Sequence, residues 1–226
     1  MIANQKSVGS NGYQNMLFPL EYMYITQGEN GSYSHKGTYA IDFQGYGANG
    51  RIYNCPYYAP FDCTCVAIWG STSPMIVWQS DNPVNLVNDI SGLPKYMCIG
   101  FVHDDNTLSF HVGDTRKQGD IIGHTGTYGN VTGDHVHIEV CEGQYNGYHQ
   151  NSDGVWMLNN EYHIYNACGI NDTVLVVDGG YNWKQFTDTP IPPTPSDKKI
   201  KKFPWVLYSR KLRQNRMHWH TNKLMI

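Results

Sequence analysis

Gly133-Asp134-His135-Val136-His137-Ile138-Glu139-Val140 is the stretch that decides how this chain is read. In an extended strand, side chains alternate between faces, so His135, His137 and Glu139 point one way and Val136, Ile138 and Val140 the other. The valine and isoleucine side offers a surface for a core. The opposite side presents two imidazoles one pleat apart, close enough to serve a single site. Burying two histidines on one face is costly unless a metal, a substrate or a hydrogen-bond network satisfies them. On these residues alone, an exposed face that happens to carry histidines explains the pattern equally well, and the flanking sequence has to decide.

Upstream, from Leu20 onward, short β-prone runs are punctuated by glycine, asparagine and proline, in a chain with 17 tyrosines. Candidate strands cover 22–26, 39–43, 63–69, 75–79, 96–103 and 135–141, and a helical turn is expected within 85–92. Turn signals such as Asp81-Asn82-Pro83 and Ser91-Gly92-Leu93-Pro94 separate the runs. The expected fold is mainly β, an antiparallel sheet whose loops carry the functional groups.

Three further segments carry chemistry. Asp42 sits between Ile41 and Phe43, and a carboxylate on so apolar a strand is costly unless it is paired or bound to a cation. His35, seven residues earlier, can return across the turn at Gly37 to share that cation. His103 ends the apolar run through Phe101 and Val102, although His111 and His124 compete with it on sequence grounds. Finally, the glycine-punctuated run from Val112 to Gly123 and the loop Thr125-Gly126-Thr127-Tyr128-Gly129 lead into the His-x-His strand. Glycines there permit positive φ and close backbone approach.

Taken in order, these pieces resemble the LytM/lysostaphin-like zinc endopeptidases of the M23 family. The matching elements are the His35…Asp42 pair, the Ala59-Pro60-Phe61-Asp62 turn and the aromatic-x-His at 101–103. They continue with Gly113-Asp114…Gly119-Asp120-Ile121-Ile122-Gly123, Thr125-Gly126 and the 133–140 strand, spanning about 19–141. The resemblance implies that His35, Asp42 and His137 bind one Zn²⁺, leaving an open position as catalytic zinc sites do. It implies that His103 and His135 lie beside the metal, handling the attacking water and the developing oxyanion. The residues alone leave open which member of the His-x-His pair binds metal; the family assigns His137. Glu139, on the same face, reads either as a partner behind the metal ligands or as a solvated acid, with the solvated acid the preferred reading. Two departures stand out: the family's first His and Asp are usually four apart rather than seven, and Cys63 occupies the position of its usual glycine. The implied activity is hydrolysis of peptide bonds in bacterial peptidoglycan.

Composition sets the limits. A chain of 226 residues can hold one sizeable domain, and no stretch is apolar enough to span a bilayer. The first twenty residues are polar, without the basic and apolar regions of a Sec-type signal peptide. A wall enzyme lacking that signal fits a bacteriophage product, present in host cytoplasm before release or carried on a virion tail, and acting on the cell wall. The six cysteines form no Cys-x-x-Cys pair. Cys63 and Cys65 share a strand face, but the second pair that a structural zinc site requires is missing.

The expected organisation is an irregular lead-in (1–18), a peptidase domain (19–186), a proline-rich linker (187–197) and a basic, aromatic tail (198–226). All nine charged residues of the tail are basic, against a net charge of -12 before it. The tail would suit an anionic wall polymer or a virion tail protein, and it matches no specific nucleic-acid module. Its His218-Trp219-His220 lacks the strand, glycine and Asp context of the first His-x-His. Two other functions fit the same residues. One is a D-Ala-D-Ala carboxypeptidase-like enzyme, matched by His35, Ala40 and Asp42 but with the glycine displaced to Gly37. The other is a non-catalytic wall- or virion-binding protein on the same fold.

Overall fold

A computed structural model of the chain describes residues 1 and 3–186. The linker at 187–197 and the tail at 198–226, with its second His-x-His, lie outside the described residues. The strands in chain order are β1 (Tyr22–Gln27), β2 (Ile41–Phe43), β3 (Tyr46–Gly47), β4 (Gly50–Arg51), β5 (Pro56–Tyr58), β6 (Cys63–Trp69) and β7 (Met75–Ser80). They continue as β8 (Met97–Val102), β9 (Thr115–Arg116), β10 (Ile121–His124), β11 (Val136–Glu142), β12 (Tyr148–Gln150), β13 (Trp156–Leu158) and β14 (Leu175–Asp178). Eight of them form one sheet in the order β14-β1-β2-β11-β8-β7-β6-β9. Within it β14 runs parallel to β1, and the other neighbours are antiparallel. The mainly β, antiparallel fold is as expected from the sequence. The helical turn expected at 85–92 is an irregular segment of bridges and turns instead, and the α-helix among the described residues is the single turn Ile164–Ala167.

The alternation read in 133–140 sets the layering. Val136, Ile138 and Val140 are buried in the larger core, with Ile41, Phe43, Phe101, Trp78 and Phe18. Each such side chain contributes about 1.5–3 kcal/mol of burial free energy, so the register of β11 is strongly fixed. A slip of one residue would place both histidines in that core. The other face of the sheet carries a smaller apolar cluster that includes Met75, Val77, Cys98, Val102, Cys141 and Leu158. Leu158 belongs to the β12–β13 hairpin, which lies on this second face. Gly100 makes that close approach possible, because a Cβ there would meet the Met75 sulfur at 2.6 Å and the Leu158 side chain at 3.4 Å.

The irregular residues 1–18 contribute Met16, Leu17 and Phe18 to the interior. All six cysteines are buried free thiols. No helix among the described residues is long and apolar enough to cross a membrane.

Candidate metal centre

β11 lies between β2 and β8, and its register sets Asp42 directly opposite His137. Cross-strand partners share a face, so the carboxylate and the imidazole meet by pairing alone. His35 comes from the loop between β1 and β2. Its backbone N–H donates to Gly31 O, its carbonyl accepts from Thr38 N, and Gly37 takes φ +74° to close the turn. That loop absorbs the seven-residue spacing and delivers a fully buried ring to the other two groups.

The three donor atoms form a nearly equilateral triangle. His35 Nε2 is 3.0 Å from His137 Nδ1 and 3.1 Å from Asp42 Oδ1, and His137 Nδ1 is 3.0 Å from the same oxygen. The outer nitrogens fix the tautomers. His35 Nδ1 lies 3.1 Å from Gly28 O, and His137 Nε2 lies 3.1 Å from Glu139 Oε1. Each of those nitrogens therefore carries its hydrogen outward, so the two inner nitrogens and a carboxylate oxygen face one point. Such a point calls for a cation. Tetrahedral zinc at about 2.0–2.1 Å from each ligand needs donor–donor edges of about 3.3 Å, close to those present. The two-imidazole, one-carboxylate set fits that ion.

The surroundings hold the triangle in place. Gln27 Nε2 donates to Asp42 Oδ2 at 3.1 Å, which leaves Oδ1 to the histidines. Glu139 is almost fully buried, and its second oxygen accepts from Leu158 N at 2.8 Å. It is thus a hydrogen-bonding partner of His137, one of the two readings the sequence offered, rather than the preferred solvated acid. Burial opposes charge on His137, but Asp42 and Glu139 outweigh it and raise the ring's pKa to about 10. Burial also opposes charge on Asp42, yet His137 and His35 hold its carboxyl well below the usual range. Both shifts express the same demand for positive charge at this point.

His103 and His135 stand next to the triangle. Their rings lie 4.6 Å apart, and His135 Nε2 is 3.7 Å from Asp42 Oδ1. In each, Nδ1 points at a backbone carbonyl, Tyr128 O at 2.9 Å for His103 and Gly133 O at 2.7 Å for His135. Nε2 of each ring therefore has its lone pair available. Burial lowers the pKa of His103 to about 4, so its ring is neutral at neutral pH. His103 adopts φ +80°, an uncommon conformation for a bulky residue, of the kind that accumulates at functional sites. His135 is held by paired backbone bonds to Gly126, and Asp134 anchors the start of β11 by accepting from Thr125 Oγ1 and Asn54 N.

His111 is exposed and belongs to no such group, and among the described residues Cys63 and Cys65 join no metal-binding cluster. Sequence reasoning missed Gln27 and quoted Thr125 and Asp134 only as motif positions, without the hydrogen bonds they make. The centre opens into a cleft of about 1130 Å³ whose lining includes Arg51, Tyr33, Trp69, Tyr148 and Trp156.

No family model matches the chain. It is 43% identical over 178 residues to Morphogenesis protein 1 of Bacillus phage B103, a match covering 78% of this chain and 46% of that protein. The chain thus spans about half the length of the curated relative it matches. Among solved structures, it is similar to LytU, with 25% identity over 55% of this chain and 77% of that one, at a TM-score of 0.38. The catalytic domain of lysostaphin from Staphylococcus simulans gives 20% identity over 61% of this chain and 86% of that one, at 0.36. A zinc-containing peptidase from Vibrio cholerae gives 17% identity over 61% of this chain and 43% of that one, at 0.37. At TM-scores this low, these likenesses add nothing to the geometry of the centre.

Proposed function

We propose that the chain is a zinc metallo-endopeptidase that hydrolyses peptide bonds of bacterial peptidoglycan, with His35, Asp42 and His137 as the zinc ligands. The observation that carries this proposal is the convergence of two imidazole nitrogens and one carboxylate oxygen on a single point beside a cleft. When bound there, zinc would supply a Lewis acid that polarises the scissile carbonyl and activates water. The protein's own groups do the rest. Glu139 and Gly28 O hold the ligand rings in the tautomers that face the ion, and Gln27 orients Asp42. One of His135 and His103, each with Nε2 free, would take the proton of the attacking water, and the ring so protonated would donate to the oxyanion.

The peptidoglycan substrate is supported by the ordered motifs from His35 to Val140. A phage setting, acting at the wall during lysis or entry, is supported by the named phage relative. Residues 19–186 would form the enzyme. Residues 187–197 would space it from a basic tail suited to an anionic wall polymer or a virion tail protein.

Digestion of purified sacculi, followed by mass spectrometry of released fragments and of new amino termini, tests the function. Endopeptidase action gives new amino termini from the wild type and none from His137→Ala, which also loses its zinc. Release of free D-alanine would instead identify a carboxypeptidase. No product from a zinc-loaded wild type would leave a non-catalytic binding protein.

A further inference from the structure

The centre occupies only part of its cleft. Beyond Glu139 the wall is aromatic: Trp69 at the end of β6 and Tyr148 on β12 stack with centroids 3.9 Å apart and planes within 8°. Trp156 on β13 stands across both rings, at 65° to Trp69 and 72° to Tyr148. Large rings usually face inward, yet Trp156 is 50% and Tyr148 42% exposed. This surface is fixed relative to the centre, because Leu158, two residues after Trp156, donates its N–H to the Glu139 carboxylate that holds His137. The hairpin lies after the 19–141 span that carries the family resemblance, so the centre's own motifs do not account for it.

We infer that the Trp69–Tyr148–Trp156 wall is a carbohydrate subsite that stacks a pyranose ring of the glycan strand while the attached peptide lies across the His35–Asp42–His137 centre. This inference rests on the peptidoglycan-peptidase proposal and extends it to the second chemical half of that substrate. A pyranose presents a face of C–H bonds with slight positive charge, which matches the negative face of an aromatic ring. Its neutral hydroxyls match the neighbouring groups. The chain continues from Trp69 through Gly70, Ser71, Thr72 and Ser73, and Ser73 Oγ accepts from Asn130 N at 3.1 Å. These are uncharged hydrogen-bonding residues. A carboxylate would meet repulsive ring faces there and no cationic side chain in that segment. A rigid aromatic surface with a few neutral polar groups is how a preformed site orients such a ligand.

Calorimetric titration of the full zinc-loaded chain with a soluble N-acetylglucosamine oligosaccharide tests the subsite without depending on catalysis. In parallel, cleavage rates are compared between intact sacculi and the same cross-linked peptides stripped of glycan. The wild type should bind the saccharide, and Trp156→Ala should weaken that binding by about tenfold or more, the scale of one aromatic stacking contact. Trp156→Phe should recover most of it. The loss of kcat/KM in Trp156→Ala should be about tenfold greater on sacculi than on stripped peptides. Tyr148→Ala, checked for folding by circular dichroism, provides a second variant should the first fail to fold. Saccharide binding by a wild type that cleaves neither substrate would uphold the subsite and remove the peptidase. Absence of saccharide binding by the wild type would overturn the subsite. So would equal losses on both substrates, the result expected if the wall receives an apolar peptide side chain.

Discussion

Glu139 Oε1 lies 3.1 Å from His137 Nε2, two residues earlier on the same strand, and this contact determines which nitrogen of His137 faces Asp42. A carboxylate can only accept at neutral pH, so the ring donates from Nε2 to Glu139, and a metal ion that displaces the proton shared with Asp42 would meet the lone pair of Nδ1. Replacing Glu139 by Gln keeps the shape but permits the opposite tautomer. Zinc affinity should fall about 10–100-fold, the usual effect of losing a ligand's hydrogen-bonding partner. Competition with a chromogenic chelator measures it, and an unchanged affinity would show that the contact does not orient the ring.

His103 and His135 should behave differently from the three proposed zinc ligands. Alanine at either position should lower kcat on sacculi by about 10²–10⁴-fold, the range for loss of a general acid or base. Zinc should remain at one ion per chain in both variants. Metal analysis by plasma mass spectrometry separates the two groups, and loss of zinc from His135→Ala would make it a ligand instead.

Gly126 packs directly against the backbone of His103. A Cβ there would lie 2.4 Å from His103 O and 2.7 Å from Asp105 N, both backbone atoms that cannot swing aside. Gly126→Ala should therefore displace His103, cost about 1–3 kcal/mol of stability as overpacking does, and reduce turnover more than zinc content. Chemical denaturation and metal analysis on one preparation check both effects.

Glu161 gives a pH signature outside the ligand set. Burial, followed by the charge of Glu139, raises its pKa from the ordinary 4.5 to about 8. The folded state thus retains a proton that the unfolded chain releases. The associated stability is fully present below the unfolded pKa and is lost as pH rises towards about 8. Thermal unfolding of the zinc-loaded wild type should show a falling Tm across that window. In Glu161→Gln, which cannot ionise, the fall should be smaller; parallel curves would show that Glu161 does not contribute.

The parts of this architecture that were legible in the sequence are those with local periodicity. β6 runs over the expected 63–69, and the alternation of 135–140 placed Val136, Ile138 and Val140 in the core and both histidines on the other face. Short strands such as β12 and β13, with three residues each, have too few positions for alternation to show. The segment at 85–92 lacks helical structure because Val84 and Asn85 are committed to bridges with Lys95 and Asn15. For Glu139 the sequence favoured the solvated reading over the observed one because its cover arrives from Leu158, nineteen residues later. Gln27 gave no signal at all, since a glutamine acquires a role only when the fold brings Asp42 to it.

Zinc-edge anomalous diffraction from crystals of the zinc-loaded protein tests the central claim most directly. The account requires one peak within about 2.2 Å of His35 Nε2, Asp42 Oδ1 and His137 Nδ1, with His103 and His135 beyond bonding distance. A peak held by His135 in place of His137, or no peak among these three atoms, would contradict it.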